Sequence, residues 1–307
     1  MLAALAGVSA SLRPVRGEMA DPPLDALAKD AATALSGKGF FVLDNFLGSR
    51  FGADARLQAE ALDAAGHLKP GKISKGLTLE EDTKVRGDRI IWLKHTNLAG
   101  TQKRAEPPAG KTQQSNPLVG HATLEMLLEK LDQLRALIGP EIEITLNMAT
   151  YMLACYPGAG TGYVRHRDAS PEHPGRRVTA IYYLNPDWVD ADGGQLRIWP
   201  NDAGGDDIEH ATLISPLCDR LLLFTSTLEH EVTPSFNTRF ALTSWFYNRS
   251  EMQAMLLHEE KEKSDLSDKM AARKELKELM ARMMAKKILA AAASNKDGKD
   301  SDGDQEQ

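Results

Sequence analysis

The sequence predicts an all-β core with flanking helices, built as a double-sheet jelly roll or a related barrel. From Glu141 onward, about eight short strand-like runs follow at even spacing, separated by Gly, Pro and Asn-Asp turn residues. The clear helical patterns lie ahead of them, segregated at the front of the chain, where they can pack on the outer face of the major sheet. With 307 residues, 42% of them hydrophobic and 26% charged, there is room for one large domain plus extensions.

Residues 1–21 carry Arg13 and Arg16 and no acid before Glu18, the composition of an organellar transit segment or of a disordered start. A helix is expected from Pro22 to Ser36, headed by Pro22-Pro23 and stopped by Gly37 and Gly39, with a short strand at Phe40–Leu43. A second helix covers Ala53–Ala65, with Leu57, Ala61 and Leu62 on one face and Gly66 at its end. From His67 to Gln114 lysines, glycines and charges dissolve the pattern, apart from a strand at Arg89–Leu93. The part before Arg89 suits a mobile lid or a disordered loop. In a third helix, Leu118–Ile138, residues Leu124, Leu127, Leu128, Leu131, Leu134 and Ile138 form a core-facing stripe, and Gly139-Pro140 stops it.

The strands then run Ile142–Tyr156, Gly162–Asp168, Val178–Leu184, Gln195–Trp199, Ala211–Ile214, Arg220–Phe224, His230–Thr233 and Arg239–Tyr247. After Asn248 the chain turns helical and charged. Ser267–Ala293 is amphipathic through Met270, Leu276, Leu279, Met280, Met283 and Ile288, either a docking helix for a partner or a partly solvated one. The tail has five acids against two lysines and no apolar anchor, so it is expected to be disordered. The predicted organisation is a flexible start over 1–21, a core domain over 22–250, a charged helical extension over 251–294 and an acidic tail over 295–307.

A net charge of −6 offers no general attraction for nucleic acid or an anionic membrane, and no apolar run reaches the length of a membrane span. Two cysteines, Cys155 and Cys218, make neither a disulfide framework nor a cysteine-built zinc site. Their scarcity suits a reducing compartment, cytoplasm or nucleus.

Chemistry concentrates in Tyr163-Val164-Arg165-His166-Arg167-Asp168. In a strand, His166 and Asp168 point to one face and can reach one object, most simply a metal ion. An imidazole and a carboxylate are two thirds of the facial triad that holds non-haem Fe(II) with open coordination positions. A His-x-Asp pair alone is also common as a surface polar pair. His230, placed after the buried run Leu221–Phe224, is the natural second histidine. Arg239 opens a strand whose alternation sets Arg239, Ala241, Thr243 and Trp245 on one face. An arginine there is a costly buried charge unless an anion meets it, either a carboxylate ligand held in two hydrogen bonds or a protein acid.

Five segments together carry a resemblance: Tyr151–Gly158, Gly160–Asp168, Ile181–Asn185, Gly193–Ile198 and Asp219–Phe224. In this order they resemble the Fe(II)/2-oxoglutarate-dependent prolyl 4-hydroxylases, specifically the oxygen-sensing type that acts on hypoxia-inducible factor, and Arg86–Trp92 resembles the segment around that family's mobile substrate loop. The resemblance implies a double-stranded β-helix with helices on the major sheet. It implies Fe(II) and 2-oxoglutarate as cofactors, with O2 as co-substrate and ascorbate in support.

By position, His166, Asp168 and His230 would ligate iron, and Arg239 and Tyr183 would hold the distal carboxylate of 2-oxoglutarate. Tyr156, Ile181, Leu196 and Thr243 would line its pocket, and Tyr163, Arg176 and Trp245 would face the substrate, a proline in a protein. Thr225–Glu229 is shorter than in animal members, and the residues after Asp168 differ too, so peptide specificity is open. Hydroxylation of another residue or a small molecule, or a non-catalytic cupin-like metal module, are the alternatives.

Overall fold

Residues Arg239–Tyr247 are buried along their whole length, which an alternating strand achieves only when both of its faces are covered. The structure is a computed structural model that describes residues 23–75, 78–95, 117–169, 175–201 and 208–297. Its elements run α1 (Leu24–Ser36), β1 (Phe40–Leu43), α2 (Ser49–Ala64), β2 (Lys69–Pro70), β3 (Ile73–Lys75), β4 (Thr78–Glu80), β5 (Arg89–Leu93) and α3 (Ala122–Glu141). They continue with β6 (Met148–Tyr156), β7 (Thr161–His166), β8 (Arg176–Tyr183), β9 (Leu196–Ile198), β10 (Thr212–Ile214), β11 (Leu221–Thr225), β12 (His230–Ser235), β13 (Arg239–Tyr247) and α4 (Arg249–Asp297).

A seven-stranded sheet in the order β1-β11-β8-β13-β6-β5-β2 faces a four-stranded sheet in the order β10-β9-β12-β7, and β3-β4 form a separate hairpin. Alternation sorts the side chains of the major sheet into two cores. Tyr151, Leu153, Ala180, Tyr182, Leu242 and Phe246 pack under α1, α2 and α3. Met152, Ala154, Ile181, Tyr183, Ala241 and Trp245 face the minor sheet with Leu196, Ile198 and Val232. The jelly roll with helices on its major sheet is therefore as expected.

The α3 stripe is buried as its spacing predicts: Leu124, Leu127, Leu128, Leu131, Leu134 and Ile138 are fully enclosed. Leu128→Ala should cost about 2–5 kcal/mol, read as a lower urea midpoint at an unchanged slope.

Several boundaries differ from the sequence reading. Gly139-Pro140 does not stop α3, which runs on to Glu141. Proline is tolerated there because the helix is ending, and Gly139 leaves room for the carbonyl of Ile144, which would sit 2.9 Å from a Cβ. The strand expected from Ile142 starts at Met148, after a turn in which Ile144 N–H bonds back to Gly139 O. On α2 the buried face is Gly52, Ala55, Ala59 and Leu62, whereas Leu57 projects from the opposite side and is exposed.

The stretch after His67 is not patternless. It holds β2 and the β3-β4 hairpin, and Val85 and Gly87 bond across to Val164 and Gly162 of β7. Residues 96–116, like 1–22 and 298–307, lie outside the described residues. The charged helix expected over Ser267–Ala293 is part of the longer α4, on which Met270, Leu276, Met280 and Met283 are exposed. No helix among the described residues is long and apolar enough to cross a membrane.

Candidate metal and 2-oxoglutarate site

The register between β7 and β12 sets His166 directly opposite His230, with ring centroids 4.3 Å apart. The strand expected to reach Asp168 ends at His166, yet the carboxylate still turns back to the pair. Asp168 Oδ1 is 3.9 Å from His166 Nε2, and Oδ2 is 3.7 Å from His230 Nε2. One ligand atom from each residue fits within 4.8 Å of the others.

Each imidazole has its far nitrogen engaged. His166 Nδ1 is 2.8 Å from Val164 O and His230 Nδ1 is 3.0 Å from Leu228 O. A carbonyl only accepts, so both Nδ1 atoms carry the proton and both Nε2 lone pairs face the centre, the tautomer a metal needs. Burial and the neighbouring His230 push the His166 imidazole well below its ordinary pKa. Burial works to raise Asp168, but the two histidines, Arg176 and a hydrogen bond from Thr179 hold it below the usual carboxylate range. The result is two imidazoles that present Nε2 to the centre beside a carboxylate, a donor set suited to Fe(II) with positions left open.

Arg239, 3% exposed, opens β13 on the inner face of the major sheet, which faces the minor sheet. Its Nε donates to Gly194 O at 2.8 Å, and its guanidinium sits 5.0 and 5.1 Å from the rings of Tyr156 and Tyr183. Gly194 has φ +69°, and a Cβ there would stand 2.9 Å from Arg239 Cδ, so the close approach requires glycine. Among the described residues no carboxylate pairs with Arg239, and the buried Tyr183 hydroxyl has no hydrogen-bond partner. Burial keeps both tyrosines protonated, Tyr156 most strongly. A guanidinium and a phenol, both buried and both with donors to spare, fit one end of a dicarboxylate. Ile181 and Thr243 are buried on the inner side of the major sheet, and Leu196 is buried across from them in β9.

Tyr163 stacks on His166 at 3.8 Å and has Arg86 over its ring at 4.8 Å. Trp245 has Trp92 at 5.5 Å and the Arg176 guanidinium at 4.1 Å. Arg176 is itself buried, donating to Tyr247 Oη and to the backbone carbonyl of Asp168.

Sequence reasoning missed Thr179, which donates to Asp168 Oδ2 at 2.7 Å, although alternation from Ile181 and Tyr183 would have put it on the inner face. It also missed the buried Arg86–Asp88 ion pair and the exposed face of Trp92, whose neighbours come from strands far away in sequence.

Residues 151–247 match the 2OG-Fe(II) oxygenase superfamily. Prolyl hydroxylase EGLN3 of Homo sapiens is 34% identical over 218 residues, 69% of this chain and 80% of that protein. A prolyl hydroxylase from Trichoplax adhaerens, solved in complex with a peptide fragment of the hypoxia-inducible-factor oxygen degradation domain, superposes with a TM-score of 0.60 at 30% identity, covering 74% of this chain and 92% of that one. A prolyl-4-hydroxylase from Pseudomonas putida gives a TM-score of 0.56 at 27% identity, over 72% of this chain and 100% of that one. On this likeness and this donor set, the chain belongs to the prolyl-hydroxylase family of 2OG-Fe(II) oxygenases, dioxygenases that work with Fe(II) and 2-oxoglutarate.

Proposed function

We propose that this enzyme hydroxylates C4 of a proline in a protein substrate, in the cytosol or nucleus, through a catalytic unit spanning residues 22–250. His166, Asp168 and His230 hold the iron. Arg239 and Tyr183 bind the distal carboxylate of 2-oxoglutarate, Tyr156, Ile181, Leu196 and Thr243 shape its pocket, and Tyr163, Arg176 and Trp245 face the substrate. The observation that carries the reading is an arginine buried on the inner face of the major sheet with no acid partner among the described residues, facing the minor sheet whose strands carry the two histidines.

The chemistry that bound iron supplies is the cleavage of O2, one oxygen atom leaving in succinate as 2-oxoglutarate loses CO2, the other ending in the C4 hydroxyl. The chain's own residues do the placing. Nδ1–H bonds to strand carbonyls keep both imidazoles facing the centre. Arg239 and Tyr183 would anchor the distal carboxylate of the co-substrate, leaving its keto acid end for the His-Asp-His cluster. Tyr163 against His166 and the Trp92–Trp245 pair offer flat apolar walls suited to a pyrrolidine ring.

Purified enzyme given Fe(II), 2-oxoglutarate, ascorbate and a panel of proline peptides should yield a +16 Da product localised to proline by fragmentation, with one succinate per hydroxylation. An intact iron site that makes succinate but modifies no proline across a broad panel would move the assignment to another residue type or a small molecule.

A further inference from the structure

Asp168 is the member of the His-Asp-His cluster that lies outside any strand, so a device other than a sheet ladder must fix it. That device is a pair of hydroxyls. Thr179 Oγ1 is 2.7 Å from Asp168 Oδ2 and 2.9 Å from Ser226 Oγ, and both residues are almost wholly enclosed, at 0% and 1% exposure.

Proton counting fixes the direction of the chain. An ionised carboxylate only accepts, so the single hydroxyl proton of Thr179 goes to Asp168. Thr179 Oγ1 can then only accept from Ser226, whose hydroxyl proton points at it. Each bond polarises the next, and the last is charge-assisted. Ser226 cannot drift, because its N–H donates to Arg177 O at 3.0 Å and its carbonyl accepts from Ala169 N–H at 2.8 Å. It thus ties the residue after Asp168 to the strand that carries Thr179. Among the described residues, no hydrogen bond reaches Asp168 Oδ1.

We propose that Ser226 and Thr179 are positioning residues for the metal: the directed chain Ser226→Thr179→Asp168 occupies Oδ2 with a hydrogen bond and leaves Oδ1 as the oxygen offered to the ion. This rests on the reading of His166, Asp168 and His230 as the iron site. A carboxylate released from Thr179 can rotate and bind through both oxygens, occupying a coordination position that O2 and 2-oxoglutarate need.

The test uses the full chain and bare ions. Free Mn(II) is followed by its electron paramagnetic resonance signal, and the coordination of bound Co(II) by its visible spectrum. Thr179→Val, which keeps the shape and removes the hydroxyl, should weaken Mn(II) about 10- to 100-fold, the usual effect of losing an outer partner of a ligand, and alter the Co(II) spectrum. Thr179→Ser should restore both, and Ser226→Ala should give a smaller loss in the same direction.

A folded Thr179→Val that matches wild type in Mn(II) affinity and Co(II) spectrum overturns the proposal. Should Thr179→Val not fold, Ser226→Ala decides in the same way, an unchanged affinity and spectrum counting against it. Equal Mn(II) binding by wild type and His166→Ala would instead remove the metal-site reading, a separate result from wild-type binding that the hydroxyl variants leave untouched.

Discussion

Arg239→Ala is expected to weaken 2-oxoglutarate binding by about 150- to 5,000-fold, the equivalent of the about 3–5 kcal/mol lost when one partner of a buried charge pair is removed. The magnitude follows from burial. Arg239 is 3% exposed and is held by Gly194 O through Nε alone, with two tyrosine rings beside it. Water cannot replace the guanidinium in such a place. Arg239→Lys keeps the charge but offers a point donor in place of a planar fork, so it should fall between wild type and alanine. Tyr183→Phe removes one hydrogen bond to a charged group and should cost about 1.5–3 kcal/mol. Anaerobic titration of the Fe(II)-loaded enzyme, followed by the metal-to-ligand charge-transfer band, measures all three. A folded Arg239→Ala that titrates like wild type would leave Arg239 as a structural residue and favour a metal module without a co-substrate.

How much of this was legible beforehand depends on the length of the pattern that encoded it. Alternation along Arg239–Tyr247 fixes which residues face inward, and the structure keeps Arg239, Ala241, Thr243 and Trp245 together because a strand's period leaves no other choice. The α3 stripe is legible for the same reason at a period of 3.6. On α2, a short pattern rich in alanine gave too little contrast between faces, and Leu57 went to the wrong one.

Local stop signals also yielded to tertiary context. Pro140 sits inside the last turn of α3 because the following turn folds its backbone back against Gly139. Least legible were contacts that only the register of distant strands creates: Val85 and Gly87 bonding to β7, Arg86 over Tyr163, Trp92 against Trp245. Glycines and charges between His67 and Asp88 carry no period, so their pairing beside the site cannot be read without the partner strand in view.

The same geometry explains why the site is demanding on the fold that carries it. Asp168 is an ionised carboxylate at 7% exposure, kept charged by its neighbours against the pull of burial. Around it stand two imidazoles, the hydroxyl of Thr179 and the Arg176 guanidinium, which bonds to the Asp168 backbone carbonyl and not to the carboxylate. A divalent metal supplies the missing positive charge, and stripping it should therefore lower stability as well as abolish turnover.

At a free metal concentration of 100 times Kd the linkage amounts to about 2.7 kcal/mol, or about 5–10 °C in Tm for a domain of this size. Treatment with EDTA should lower the melting temperature by that amount, Mn(II) should restore it, and Asp168→Ala should show no metal-dependent shift. The metal-free protein should also be acid-sensitive. An unfolded histidine takes up a proton near pH 6.5, about its ordinary value, whereas folded His166 resists until well below it.

Between those two values the unfolded chain holds a proton that the folded chain does not, so stability is full above about pH 6.5 and falls as the pH drops. Asp168, also depressed in the fold, adds a further loss once the pH falls below about 3.9. His121, which burial and His67 push down, contributes in the same direction and remains in a His166→Asn variant. The informative quantity is therefore the difference between the two proteins. Urea midpoints measured in EDTA at pH 7.5 and pH 5.5 should drop more for wild type than for His166→Asn, and an equal drop would place the acid sensitivity outside the metal site.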